Sequence, residues 1–274
     1  MVKNEAILLK EILPIWKDYP IDEFVFYNDI STDDTVEIIK EGLGTKSAIL
    51  ETPTQRTFHE SHNRSTMLEY SRAAGADFVV CIDADELISS SILNNFGKIL
   101  EANALLDVQY YWFNVVGGNI KKYRQDPSYV HNYRTFILPM SKTGKFDLSQ
   151  WRYHTPRTPV VNLPKRQTQK FGFIHLQSIN ERFYALKQLW YKHYEFVNYG
   201  YDIAQINGRY DPVVNNLQFE AKDTPESIIS GIDFCETIGE SFDKIEKAKG
   251  YKQYILDNKV DQLITFGETY VSEM

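Results

Sequence analysis

Apolar positions along the chain fall into two alternating periods. "EAILLKEILPIWKDY" places Leu9, Ile12 and Leu13 on one helical face, and Pro14 is expected to kink or end that helix. "DEFVFYND" reads as a short strand with polar residues at its end. Ser31, three residues ahead of Asp34, predicts a helix start; Val36, Ile39 and Leu43 supply its stripe, and Gly42 or Gly44 its end. "SAILET" is a second strand, "HESHNRSTMLEYSRAAGA" a second helix stopped by Gly75, and "DFVVCIDAD" a third strand. Short apolar strands alternating with helices of this length predict the α/β class, with a parallel sheet covered on both faces.

From about Leu106 to His175 the helical period fades, and aromatics, prolines and Gly117-Gly118 predict antiparallel strands and long loops, including "DVQYYWFNVV" and "FGFIHLQ". From Asn180 the pattern is helical again, with breaks near Gly200–Pro212 and at Gly250. The expected division is a domain over residues 1–204 and a helical C-terminal extension over 205–274, the boundary falling in "NGRYDPVVNN". In the extension, Asp223 or Thr224 caps a helix with Pro225 in its first turn and Ile228, Ile232 and Cys235 on its stripe. Tyr254, Ile255, Val260, Leu263 and Ile264 continue the apolar pattern. The extension shows no acid-tipped strand and no convergent polar cluster, so it is expected to support the domain, bind an acceptor carrier or mediate self-association.

Composition narrows the functions. The chain has 274 residues, 43% hydrophobic and 24% charged, as in an ordinary globular protein. A net charge of −7 without a long basic block argues against a nucleic-acid partner, and it means that an anionic ligand needs a local cation. No apolar stretch approaches the roughly 20 residues that span a bilayer, and "MVKNEAILLK" lacks the apolar core of a secretory signal. The chain therefore reads as cytoplasmic, with a peripheral membrane position open to it. Cys81 and Cys235 lack metal-ligand spacing and read as reduced packing residues. "HESH" has the wrong spacing for a zinc protease, and no GxSxG, GxxxxGK or GxGxxG occurs.

The sharpest chemical signal is "FVVCIDADEL", an apolar run that ends in Asp83, Asp85 and Glu86. In open parallel sheets ligands bind beyond the carboxyl ends of the strands, and Asn28 and Asp29 end another strand at that same edge. Two carboxylates two residues apart on a strand end project to one side, a geometry that grips a hard divalent cation and, through it, phosphates. The competing reading has an acid cap the helix that begins around Ser89–Ser91, which occupies one carboxylate only.

Taken in order, "KNEA", "FVFYNDISTDDTVEII" and "HNRSTMLEYSRAAGADFVVCIDADEL" resemble the family-two glycosyltransferases of GT-A fold. That family shows an N-E near its first strand, a D-x-S-x-D-x-T turn, an Asn-bearing helix and an apolar strand ending in D-x-D. The likeness covers the first hundred residues, and "FGFIHLQSINERFYALKQLWYKHYE" resembles the His-bearing strand and following helix of one branch. The resemblance implies a GT-A-like, Rossmann-type, mostly parallel sheet flanked by helices. It also implies a metal-dependent, hexosyltransferase-like enzyme that moves a sugar from a UDP- or GDP-linked donor to a glycan or lipid-linked acceptor. By that resemblance Asp29 holds the donor's base and ribose, Arg56 lies near the donor, Asp83 faces ribose or metal, Asp85 binds Mn²⁺ or Mg²⁺ and His175 completes the metal shell.

Plainer readings stand beside these: Asp29 as a turn residue, Arg56 as a solvated loop charge, His175 as a core histidine. Lys187 and Tyr191, four apart on one helix face, form either a diphosphate contact or a surface pair. For an inverting transfer the candidate bases are Asp126 and Asp147; a retaining one needs neither. Tyr110, Tyr111, Trp112, Phe113, Trp151 and Tyr153 serve either the core or sugar stacking. A non-catalytic carbohydrate-binding or assembly protein, a nucleotidyltransferase and a homo-oligomer also fit. In the family a buried strand precedes "KNE", where here only Met1 and Val2 stand. The first strand is thus expected to be missing, through a fragmentary chain or a differently closed nucleotide site.

Overall fold

The structure, a computed structural model, describes residues 1–51, 60–125, 131–148, 156–214, 220–234, 246–258 and 263. Arg56, Asp126, Trp151, Tyr153, Cys235, Val260 and Ile264 lie outside these described residues.

Leu9, Ile12, Leu13 and Trp16 share a buried face, and α1 (Ala6–Lys17) runs through Pro14 rather than ending there. Pro14 is exposed, and burial of the opposite face outweighs the roughly 3 kcal/mol that a mid-helix proline costs. β1 (Phe24–Asn28), α2 (Thr35–Leu43) and β2 (Ser47–Glu51) then make a parallel β-α-β unit. α2 starts at Thr35, past Ser31, and stops at Gly44, whose φ of 55° favours glycine.

α3 (Glu60–Ala73) leads into β3 (Phe78–Val80), followed by β4 (Glu86–Ile88), α4 (Ser90–Leu93), α5 (Phe96–Leu105) and the long β5 (Asp107–Asn114). The middle is strand and loop, as its pattern predicts: β6 (Lys122–Arg124), β7 (Tyr133–Thr135), β8 (Ile137–Pro139) and β9 (Lys165–His175). The α/β class stands, while the pairing is mixed. β5 and β9 run parallel inside a sheet ordered β4-β9-β5-β7, whose other pairs are antiparallel, and β3 pairs antiparallel with β8. Among the described residues β1 and β3 do not pair with each other. An apolar cavity of about 490 Å³, lined in part by Phe24, Phe26, Phe78 and Val80, touches both, and Val2 makes a parallel bridge to Asn28 at the end of β1.

One close approach shapes the central sheet. A Cβ on Gly172 would fall 2.4 Å from the Phe113 ring and 2.5 Å from the Tyr111 carbonyl, and the β5/β9 register shifts beside it. Only glycine lets β9 pass that point and deliver His175 beside Asn114 and Glu86. Tyr110, Tyr111, Phe113, Phe136 and Phe173 fill the core, with Phe136 and Phe173 stacked at 3.8 Å.

α6 (Glu181–Tyr199) is capped by Asn180, whose side-chain oxygen accepts from Phe183 N at 2.8 Å, and it ends at Gly200 in the left-handed conformation. α7 (Ile203–Val214) carries the chain helically through the expected break and into the expected boundary stretch, with Pro212 inside it. β10 (Ala221–Asp223) is a strand paired with β6, so the segment after residue 205 is not purely helical. α8 (Glu226–Ile229) is a single turn behind Pro225. α9 (Glu246–Asp257) packs on α6 through Trp190, Tyr194, Tyr251 and Tyr254.

Candidate active site

The two aspartates that end the apolar run sit in a turn between strands, and Glu86 opens β4. β3 stops at Val80, and the Glu86 amide closes the turn by donating to the Asp83 carbonyl at 3.1 Å. The next helix is capped by the Ser89 hydroxyl, which accepts from Ile92 N, so the acids are not used for capping. The turn also parts the two aspartates, which face different partners rather than one common side.

Asp83 lies between two guanidiniums: its Oδ1 accepts from Arg64 at 3.1 Å and its Oδ2 from Arg157 at 2.9 Å. Arg157 also donates to both oxygens of Glu86, one at 2.6 Å, while its guanidinium lies 4.8 Å from the Phe136 ring centre and 5.1 Å from that of Trp112. Glu86 is fully buried and accepts a further bond from the Asp83 amide at 2.7 Å. Burial pushes the Glu86 carboxyl up, with Arg157 pulling the other way. Burial alone would raise Asp83 as well, but Arg157 and Arg64 outweigh it and hold that carboxyl well below the usual range.

A depressed carboxylate stabilises the fold above its unfolded pKa of about 4 and loses that contribution as pH falls. In cation-free buffer the melting temperature should therefore drop as pH is lowered from about 5 toward 3, and Asp83→Asn should flatten the slope. Parallel profiles for the two proteins would show Asp83 to be uninvolved.

Asp85 faces the other way. Its Oδ2 is 3.5 Å from His175 Nε2 and 3.7 Å from Lys187 Nζ. Burial would raise this carboxyl too, yet His175 and Lys187 hold it well below the usual range. His175 is fixed from behind, its Nδ1 lying 2.6 Å from the Asn114 side-chain oxygen. The Asn114 amide nitrogen donates to Trp112 O at 3.1 Å, so its oxygen is the acceptor and His175 Nδ1 carries the proton. Nε2 faces the Asp85 carboxylate, a pairing that either a proton or a cation between them satisfies. The Trp112 ring stacks on His175 at 4.1 Å and holds it in plane.

The motifs near the start of the chain bond to one another. Thr32 N donates to the Asn4 side chain at 2.8 Å, Glu5 N to the Thr35 hydroxyl at 2.8 Å and Ala6 N to Asp33 at 3.2 Å. Asn4 and Ile30 take positive φ values of 51° and 52°, strain that this network holds in place. The network sets Glu5, Lys3 and Asp29 on one rim, where Lys3 Nζ lies 3.8 Å from Asp29.

All of this opens on a cavity of about 990 Å³, at the upper end of small-ligand pockets. Asp29, Asp83, Asp85, His175, Lys187 and Tyr191 line it together, and the exposed Asp147 lies on its wall. Arg56 and Asp126 fall outside the described residues. Of the aromatic set, Trp112 reaches the cavity, while Tyr110, Tyr111 and Phe113 belong to the core. Arg64, Arg157, Asn114 and Lys247 were given no role by sequence, and Glu5 entered only as the Glu of "KNEA". Arg64 follows Asn63 within "HNRSTMLEY", whereas Arg157 sits in "HTPRTP", which carries no signal of its own. Among the described residues no three or more of His, Cys, Asp and Glu converge as a metal cluster.

Residues 2–158 match the family model described as "Glycosyl transferase family 2". No curated protein matches the chain. Solved structures that resemble it include S. aureus TarS 1-349, with 13% identity, a TM-score of 0.46 and coverage of 100% of this chain and 90% of that one. The same protein in complex with UDP gives 14% identity, a TM-score of 0.45 and coverage of 78% and 67%. A longer S. aureus TarS structure gives 15%, 0.45, and 98% and 54%.

Proposed function

This chain belongs to glycosyl transferase family 2, and from that premise we propose that it moves a sugar from a UDP- or GDP-linked donor to a glycan or lipid-linked hydroxyl, with Mn²⁺ or Mg²⁺ held by Asp85 and His175. The observation that carries the metal reading is the Asp85 carboxylate facing Nε2 of His175 at 3.5 Å. Asp85 and His175 would supply an oxygen and a nitrogen donor, and the rest of the shell would fall to phosphate and water oxygens, as suits an ion shared with a nucleotide.

When bound, the ion neutralises charge that gathers on the diphosphate. The chain's own residues do the rest. Lys187 adds a second cation beside Asp85, Asp29 takes the base and ribose, and Tyr191 closes the wall below them. Both Asp83 oxygens are taken by guanidiniums, so Asp83 serves the donor by orienting Arg64 and Arg157 rather than by ligating the ion. As the bond from anomeric carbon to phosphate oxygen breaks, its electron pair stays on that oxygen. The acceptor oxygen forms the new bond and gives up its proton, for which Asp147 is the candidate base among the described residues.

The 1–204 domain carries all of these groups, while the segment after it braces the pocket. No helix among the described residues is long and apolar enough to cross a membrane, and we place the enzyme in the cytoplasm, peripheral to a membrane when its acceptor is lipid-linked. Calorimetry with UDP- and GDP-sugars, with and without Mn²⁺, tests the donor and metal together. Binding of one nucleotide class that strengthens with Mn²⁺ is expected. Absence of binding under every condition rejects the donor reading, and binding indifferent to Mn²⁺, Mg²⁺ and chelator rejects the metal. Pyrophosphate release from a nucleoside triphosphate would mark a nucleotidyltransferase instead.

A further inference from the structure

α9 brings a charge to the cavity from the far end of the chain. Tyr251 stacks on Trp190 at 4.7 Å and Tyr254 lies 5.7 Å from Tyr194, which fixes the helix face that also carries Lys247, one turn before Tyr251. Lys247, Gly250, Tyr251 and Tyr254 all line the cavity. The Lys247 ammonium pairs with Glu5, a residue held on the rim by the Thr35 hydroxyl. Burial works against the charge on Lys247, but Glu5 outweighs it and pushes the ammonium up, while burial pushes the Glu5 carboxyl up with Lys247 pulling the other way. Lys187, from α6, stands 3.7 Å from Asp85 in the same cavity. Two lysines from two helices thus face the two carboxylates Glu5 and Asp85.

A simple structural pair joining two helices has no need to face a polar cavity beside Asp85. Resting on the sugar-nucleotide reading of this cavity, we propose that Lys247 exchanges Glu5 for the terminal phosphate of the donor's diphosphate and stabilises the departing nucleoside diphosphate. One further negative charge develops on that phosphate as the sugar leaves, and a preorganised ammonium in a partly dry site is suited to meet it. Glu5 holds the ammonium in place until the ligand arrives.

The test uses calorimetry with the nucleoside diphosphate that binds the wild-type protein, UDP or GDP, and with its monophosphate. Lys247→Ala should weaken diphosphate binding roughly ten- to hundredfold and leave monophosphate binding within about twofold, with Lys247→Arg restoring most of the loss. Because Lys247→Ala strands Glu5, the pair variant Glu5→Gln/Lys247→Met is measured beside it. It should melt near the wild type and show the same selective loss. Equal weakening of both nucleotides, or an unchanged diphosphate affinity, overturns the role of Lys247. A wild-type protein that binds neither nucleotide overturns the underlying reading as well.

Discussion

Arg157→Leu should cost the fold about 3–5 kcal/mol, the range seen when a buried ion pair loses one member. Arg157 spans Asp83 and Glu86 and lies against Phe136 and Trp112, so its removal strands a Glu86 carboxylate that is fully out of contact with solvent. Domains are stable by only about 5–15 kcal/mol, so the melting temperature should fall by on the order of 10 °C. Burial already pushes the Glu86 carboxyl up, and without Arg157 it should take up a proton in the folded state. A raised acid binds more protons folded than unfolded, so the variant should lose stability as pH rises and be weaker at pH 8 than at pH 5. Arg157→Leu/Glu86→Leu should recover part of the loss, because no charge is left stranded. Thermal melts of the three proteins at both pH values decide it. A single variant that melts within about 2 °C of wild type would show that Glu86 needs no counter-charge.

The second large effect falls on activity. Asp85→Asn keeps the side-chain volume and removes the charge that faces His175 Nε2 and Lys187. Turnover of the donor should fall by on the order of 10²–10³, as for other single groups that stabilise a developing oxyanion. The Mn²⁺ dependence of donor binding should fade at the same time. Stability should fall only modestly beside Arg157→Leu, since the change gives up the pairing with His175 and Lys187 but strands no fully buried acid. Initial rates across a Mn²⁺ series, with melting curves on the same samples, separate the two roles. Full activity with a lower melting temperature would make Asp85 a structural residue and remove it from the site.

The first hundred residues were legible because their strands and helices are local objects. Val36, Ile39 and Leu43 mark α2 by spacing alone, and "FVVCIDADEL" announces acids at the end of an apolar run. His175 and the return of the helical pattern at Asn180 could be located for the same reason. The fate of the acids was less visible. Whether Asp83 and Asp85 face one ion or opposite partners depends on a turn, and on arginines at positions 64 and 157 that no local pattern connects. Pro14 misled because propensity is a local term, whereas the burial of Ile12, Leu13 and Trp16 that overrides it is a tertiary one. The expectation of a C-terminal segment without polar convergence missed Lys247, whose role exists only where α9 meets the rim that carries Glu5.

That meeting bears on how the protein comes into being. Glu5 and Lys247 are separated by 242 positions, so the pocket is closed by one of the most distant pairs the chain can form. Contacts of such separation pay their loop-closure entropy late, and chains that depend on them fold slowly. A chain emerging from the ribosome holds its acid turn and His175 well before α9, so the wall that α9 supplies is built only after residue 257 has been made. Closure of the pocket therefore waits on α9, and chains stopped short of it carry the recognisable motifs without the finished pocket.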